Sequence, residues 1–178
     1  SPNFGAPTDI LSNLRGATEL CLDVLDRPDS ITAACAAMTP ALAEAGAFLR
    51  EAAARHRVGL IHWLQLWSDT PYTVAECDLS FSVGPADWER VCRPDIERQS
   101  RLTPRCVFHL DGGGSTRHLV ALLDMPTLHA VQYVPGAGTP SALAWVEMFR
   151  LIQRRGRPLL VTTPIDEAVE LARALRPE

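Results

Sequence analysis

Apolar positions recur at helical spacing through the first third of the chain and then give way to short apolar runs separated by turn formers. Residues 9–25 set Leu14, Leu22 and Leu25 on an amphipathic pattern that Arg27-Pro28 stops. Ser30 can cap a second, longer helix, in which Ile31, Cys35, Met38, Leu42, Ala45 and Leu49 line one face. Pro40 is predicted to kink that helix without preventing it from reaching Arg55. The run 58–66 (VGLIHWLQL) is apolar on both sides, as in a strand of a covered parallel sheet. Residues 68–73 are turn-forming, and 74–80 alternate Glu76 and Asp78 against Ala75, Cys77 and Leu79, a pattern that suits either a strand or an extended loop. Gly84-Pro85 then opens a helix through Trp88, Val91, Cys92 and Ile96, with Pro94 inside it.

The stretch CVFHLDGGGSTRHL, 106–119, is the centre of the second half of the chain. It reads as a buried strand, a glycine turn and a helix that Ser115 or Thr116 would cap. Side chains alternate along a strand, so Val107, His109 and Asp111 share one face and Phe108 and Leu110 the other. Gly112, Gly113 and Gly114 let the backbone turn tightly and let a ligand approach it, and free amides at the helix start would attract an anion. Further on, 128–134 (LHAVQYV) is a strand, and Thr139-Pro140 begins a helix buried through Trp145, Met148, Phe149 and Ile152 and ended by Gly156. Residues 158–162 (PLLVT) form another strand. Thr163-Pro164 with Asp166 resembles a capping box ahead of the stripe Ala168, Leu171, Ala172 and Leu175. From Val58 onward strand and helix alternate, which means an α/β fold with a parallel sheet.

At 178 residues and 47% hydrophobic content the chain can bury a real core, and one domain is expected: leading helices over 1–56, then βα units over 57–178. The formal charge of −4 is spread without a basic stripe, so nucleic acid is not an expected partner. No apolar run is read as a membrane span and no signal peptide is visible, which makes the cytoplasm the default and a membrane partner unexpected. Cys21, Cys35, Cys77, Cys92 and Cys106 lack any CxxC pair and are read as free thiols. All seventeen basic side chains are arginine, so no Schiff base can form on a lysine of this chain.

The run VFHLDGGGSTRHLVALLDMPTLHAVQYVPGAG, continued through Trp145 to RGRPLLV, resembles the uroporphyrinogen decarboxylase family in its broad sense, which includes the zinc-dependent corrinoid methyltransferases. LRGATELCLDVLDRPDSI (14–31) is similar to the helix before that family's fifth strand. DLSFSVGPADWERVCRPDI (78–96) is similar to its D-x-x-x-x-x-S-P-x-x-F stretch, with Gly84 for the serine and Trp88 for the phenylalanine. The resemblance implies a partial (β/α)8 TIM barrel, the carboxyl-terminal half of a uroporphyrinogen decarboxylase-like barrel. A complete barrel takes about 250 residues, and only about four or five βα units are countable here. In the methyltransferase branch the strand matching CVFHLDG carries His-x-Cys-Gly as zinc ligands; His109 matches and Asp111 replaces the cysteine. In the decarboxylase branch an Asp-Gly pair stands there, as Asp111-Gly112 does, whereas the key catalytic aspartate belongs to the amino-terminal half.

The expected activity is therefore decarboxylation of a carboxylated, tetrapyrrole-like substrate or corrinoid-linked methyl transfer, by a parent lyase or methyltransferase of which this chain alone is inactive. His109, Asp111 and Asp78 are the candidate catalytic residues, and His109 and Asp111 the candidate ligands of a divalent metal such as zinc. Gln132, Tyr133, Trp63, Gly112 and Gly113 are the candidate contacts to a small-molecule substrate, with a corrinoid as a further partner. The competing structural roles are a satisfied core His109, a turn-capping Asp111, a loop-capping Asp78, a core Tyr133 and tryptophans Trp63 and Trp67 in the core. His118 is expected to face solvent. Half a barrel exposes strand edges, so self-association, or association with the missing half, is expected. The alternative is a non-catalytic α/β module that binds a small anionic ligand at Gly112 to Thr116. A dinucleotide site fits poorly, because Arg117 stands where the third glycine of G-x-G-x-x-G belongs.

Overall fold

Proline and glycine set the boundaries of the leading helices. In the computed structural model, which describes residues 5–56, 58, 60–136 and 138–175, helix α1 (Pro7–Arg15) opens on a first-turn proline. It ends at Gly16, whose φ of 95° a side chain would resist, and α2 (Ala17–Asp26) starts directly after it. The single helix expected over 9–25 is thus two. Helix α3 (Pro28–Arg55) takes Pro28 as its first residue, so Ser30 lies inside the helix and does not cap it. It runs unbroken past Pro40, and Ile31 and Cys35 enter the core. By length and composition α3 is apolar enough to cross a membrane, with an 18-residue stretch of mean hydropathy 1.3, which corrects the expectation that no apolar run reaches that length. Only 11% of that stretch is buried, and its length and composition alone do not make it a membrane span.

The strand expected over 58–66 does not join the sheet, and Arg57 and Gly59 lie outside the described residues. Leu60–Ile61 (β1) pairs antiparallel with Trp67–Ser68 (β2) across a turn in which Gln65 has φ 59°. Tyr72 staples this hairpin: its hydroxyl accepts from the His62 amide at 2.9 Å and donates to the Leu66 carbonyl at 2.6 Å. An apolar run without alternation fits a covered strand and a half-buried turn equally well, and here the local hydrogen bonds favour the turn.

Four strands form the main sheet, β3 (Tyr72–Ala75), β4 (Arg105–Asp111), β5 (Ala130–Val134) and β6 (Leu159–Val161). They are all parallel and lie side by side in chain order, with Val74 opposite Val107, His109 opposite Gln132 and Tyr133 opposite Val161. The chain is therefore α/β. Right-handed crossovers between strands laid down in one direction put the connecting helices on a single face. The reversal of strand order that defines an open doubly wound sheet is absent among the described strands.

The helix-covered face holds the core. Ala75, Cys106, Phe108, Leu110, Val131 and Tyr133 are buried there with Trp88, Val91, Ile96, Leu122, Phe149 and Ile152. Between β3 and β4 the chain is helical from α4 (Pro85–Asp87) through a π turn (Trp88–Cys92) into α5 (Arg93–Ser100). Pro94 has no amide to offer the Arg90 carbonyl, and that carbonyl accepts the Thr32 hydroxyl of α3 at 3.4 Å. Helix α6 is short (Leu119–Leu123), α7 (Val146–Arg154) ends before Gly156 at φ 69°, and α8 (Ile165–Ala174) comes after β6. The capping box expected at Thr163 forms differently, with the Thr163 hydroxyl on Glu167 at 3.3 Å. Thr139 bonds the Gly136 carbonyl at 2.6 Å, and a 3-10 turn (Ala142–Trp145) precedes α7.

Candidate active site

The carboxyl end of β4 delivers the candidate chemistry. Because neighbours alternate, Val107, His109 and Asp111 lie on the face opposite to Phe108 and Leu110, away from the helix-side core. Their register partners Ala130, Gln132 and Val134 extend the same face onto β5. After β3 the chain leaves the sheet at a 3-10 turn (Asp78–Phe81) whose first residue is Asp78. The result is one cluster: a ligand atom of Asp78, of His109 and of Asp111 all fall within 4.8 Å of one another. The three residues singled out from the sequence are thus brought together by two adjacent strands.

His109 and the turn that carries Asp78 are held from behind. His109 Nδ1 is hydrogen-bonded to Gln132 Oε1, whose amide nitrogen donates to Thr162 Oγ1 at 3.4 Å, so a polar chain crosses three strands. An amide oxygen can only accept, so Nδ1 is the donor in this bond and Nε2 is the ring nitrogen left out of it. Trp63, from the hairpin, sets its ring edge-on to His109 at 4.9 Å and 82°. The 3-10 turn carrying Asp78 is anchored by Ser80, whose hydroxyl accepts from Trp88 Nε1 at 3.0 Å and whose carbonyl meets His118 Nε2 at 3.1 Å. His118 stacks on Trp88 with centroids 4.9 Å apart and planes 5° from parallel. Burial lowers the His118 pKa, and the ring is buried support for the turn, not the solvent-facing residue expected.

Charge accumulates with one sign. Asp78 is solvent-exposed as a residue, yet partial desolvation of its carboxyl and then the charge of Asp111 raise it, and the nearby His109 opposes them. Asp9 of α1 accepts the Asp78 amide at 3.0 Å and is pushed up to about 7, first by burial and then by Asp78. Two carboxylates and an imidazole on one small patch form a hard-to-borderline donor set suited to a divalent cation. The same groups can pass a proton between carboxyl and imidazole.

Other expectations fall away from this patch. Tyr133 lies on the helix-covered face, fully buried against Trp145 at 5.9 Å and Phe149 at 5.3 Å, so it does not line the site beside Gln132. Strand alternation is the reason. Trp67 is 67% exposed, so the core position expected for it is not found. The glycine turn is filled by the protein itself. A Cβ on Gly114 would come within 2.4 Å of the Phe81 ring, and one on Gly113 within 3.0 Å of Trp145. Gly113 therefore accommodates Trp145, and the room expected there for a substrate is occupied. Gly112, at φ 66°, makes the turn itself. The residues after it form a 3-10 turn (Gly113–His118) and only then the five-residue α6, and neither Ser115 nor Thr116 caps a helix. Thr116 bonds back to the Gly113 carbonyl at 2.7 Å.

The structure adds three features that the sequence did not flag: Thr162, Asp9 and the stacking of Trp88 on His118. Thr162 was within reach of the argument used for Gln132, since it lies just after the next strand at the same end. Asp9 and the Trp88–His118 stack carried no local signal, because their partners are distant in sequence. No protein-family model, curated protein or solved structure matches this chain.

Proposed function

We propose that this chain supplies the wall of an enzyme active site in a partial (β/α)8 barrel of the uroporphyrinogen decarboxylase and corrinoid methyltransferase type. On this reading it acts on a carboxylated, tetrapyrrole-like substrate or in corrinoid-linked methyl transfer. The observation that carries the reading is the convergence of Asp78, His109 and Asp111 within 4.8 Å at the carboxyl ends of neighbouring parallel strands, where barrels of this architecture carry their chemistry. Sequential strand order supports the barrel, as does a sheet face away from the helices. Among the described residues β3 and β6 each pair on one side only, so further strands, from a second copy or from additional polypeptide, would complete the ring.

A divalent metal such as zinc fits the donor set. Asp78 and Asp111 would offer oxygen and His109 its Nε2, with Gln132 and Thr162 fixing the imidazole behind it. No thiolate joins the cluster, so the match is to oxygen and nitrogen coordination more than to thiol activation. A metal bound there would polarise a substrate carboxylate or carbonyl. The protein's own part is to orient the substrate against β4 and β5 and to hold a proton on His109 or between Asp78 and Asp111.

Equilibrium dialysis against Zn2+, combined with absorbance titrations of a carboxylated tetrapyrrole and of a corrinoid, tests the proposal on the wild type, H109A and D111N. One Zn2+ per chain, lost in H109A, together with ligand binding weakened in D111N, is the expected result. A wild type that takes up neither metal nor either ligand would refute it. Sedimentation velocity tests the barrel, for which self-association is expected and a compact monomer would count against strands being completed by a second copy.

A further inference from the structure

We infer that Asp9, on the first turn of α1 and outside the βα units, is a positioning residue that sets the direction from which Asp78 enters the candidate site. This rests on the reading of Asp78, His109 and Asp111 as a cation site. Helix α1 grips the junction between β3 and the 3-10 turn at two consecutive residues. The Thr8 hydroxyl bonds Cys77 Sγ at 3.4 Å, and Asp9 Oδ1 accepts the backbone amide of Asp78 at 3.0 Å. The Thr8 amide also bonds Asp95 Oδ2 of α5 at 3.4 Å, so the grip is tied to the helix layer. Ala6, Pro7 and Thr8 are buried, which makes this first turn a fixed anchor.

The bond to Asp9 acts on the peptide that carries Asp78. Rotation of that peptide would swing the Asp78 carboxylate away from His109 and Asp111, which are held independently on β4. A carboxylate in the first turn of a helix ordinarily serves that helix's own amides. Asp9 reaches across to a residue 69 positions away, and its second oxygen, Oδ2, is buried with no hydrogen-bond partner. Burying a carboxylate oxygen without a partner is costly, and packing alone gives no reason for a carboxylate here. Supports of this kind behind a metal ligand change affinity by about 10- to 100-fold when removed.

The test is Co2+ binding to the full chain, followed by visible absorption and by equilibrium dialysis, in wild type, D9N, D9A, D78A and H109A. Asparagine keeps an oxygen that can accept the Asp78 amide, and alanine does not. Cobalt binding by D9N within about threefold of wild type and a loss of about 10- to 100-fold in D9A, with an altered ligand-field spectrum, is the expected pattern. A merely structural role would lower the stability of D9A and leave the cobalt spectrum and affinity of its folded form unchanged. If D9A does not fold, D9S takes its place, since its hydroxyl is too short to span the same gap. Equal affinity in wild type, D9N and D9A (or D9S), with binding lost in D78A and H109A, would overturn the role of Asp9 alone. A wild type that binds no cobalt, or an H109A variant that binds as well as wild type, would overturn the cation-site reading and this inference with it.

Discussion

Asp95 offers a direct measurement of what a buried carboxylate costs this fold. The residue is fully buried on α5, its Oδ2 accepting from Gln99 Nε2 at 3.1 Å and from the Thr8 amide at 3.4 Å, and its Oδ1 lying 3.6 Å from Arg98. Burial pushes its carboxyl up from 3.8 to about 6, and Arg98, Thr8 and Gln99 offset part of that rise. The native state therefore holds this proton more tightly than the unfolded chain does, and stability must fall as pH rises from about 4 to about 6 and then level off. At 1.36 kcal/mol per unit, a rise of about two units is worth roughly 3 kcal/mol. Asp95→Asn removes the titration and keeps an oxygen for Thr8 and Gln99. The stability of D95N relative to wild type should improve by roughly 3 kcal/mol between pH 3 and pH 7.5. With a urea m-value of about 2 kcal/mol/M that is a relative midpoint shift of roughly 1.5 M, read from urea unfolding by circular dichroism at several pH values. Protonation of carboxylates that Asp95 does not influence cancels in the difference, whereas Asp9, which the Asp95 charge helps to raise, cancels only in part. Asp9 titrates in the same sense, so D95N should keep part of the slope. Parallel pH profiles for the two proteins would refute the reasoning.

Trp88→Ala removes a fully buried ring that stacks on His118 and donates to Ser80, and should destabilise the protein by about 3–5 kcal/mol in urea unfolding. Gly136→Ala would bring its Cβ to 3.2 Å from the Gly112 Cα, a backbone atom, and should cost about 1–3 kcal/mol by the same assay, with no cost if this close approach is absent. Burial pushes the Cys35 and Cys106 thiols up to about 12, whereas Cys92 is raised first by its hydrogen bond with Cys77 and then by burial, and Cys77 itself is buried. A thiol reagent should therefore label Cys21 alone in the native protein and all five cysteines once it is unfolded. Rapid native labelling of Cys106 would contradict its place under the helix layer.

The parallel sheet and the candidate site were legible in the sequence because each depended on short periods. Alternation along 106–111 placed His109 and Asp111 on one side, and the position of Gln132 on the next strand obeyed the same rule. That rule, applied one residue further, also sends Tyr133 to the opposite face, where the structure has it. Three errors had a common origin in apolar or capping patterns without a period to discriminate them. Residues 58–66 became a hairpin closed by the Tyr72 hydroxyl, Ser30 yielded the helix start to Pro28, and the GGGST segment wound into a 3-10 turn.

What the amino-acid sequence determined by itself was local: where strands and helices form, which side chains share a face, and that no lysine chemistry is available. Only the tertiary structure decided which faces meet. Asp78 joins His109 because β3 pairs with β4, Asp9 reaches Asp78 across 69 positions because α1 docks on the turn after β3, and Phe81 and Trp145 occupy the space over Gly114 and Gly113. Such contacts depend on how whole elements pack, and packing free energy comes from buried area summed over many residues, which leaves no signature at any one of them.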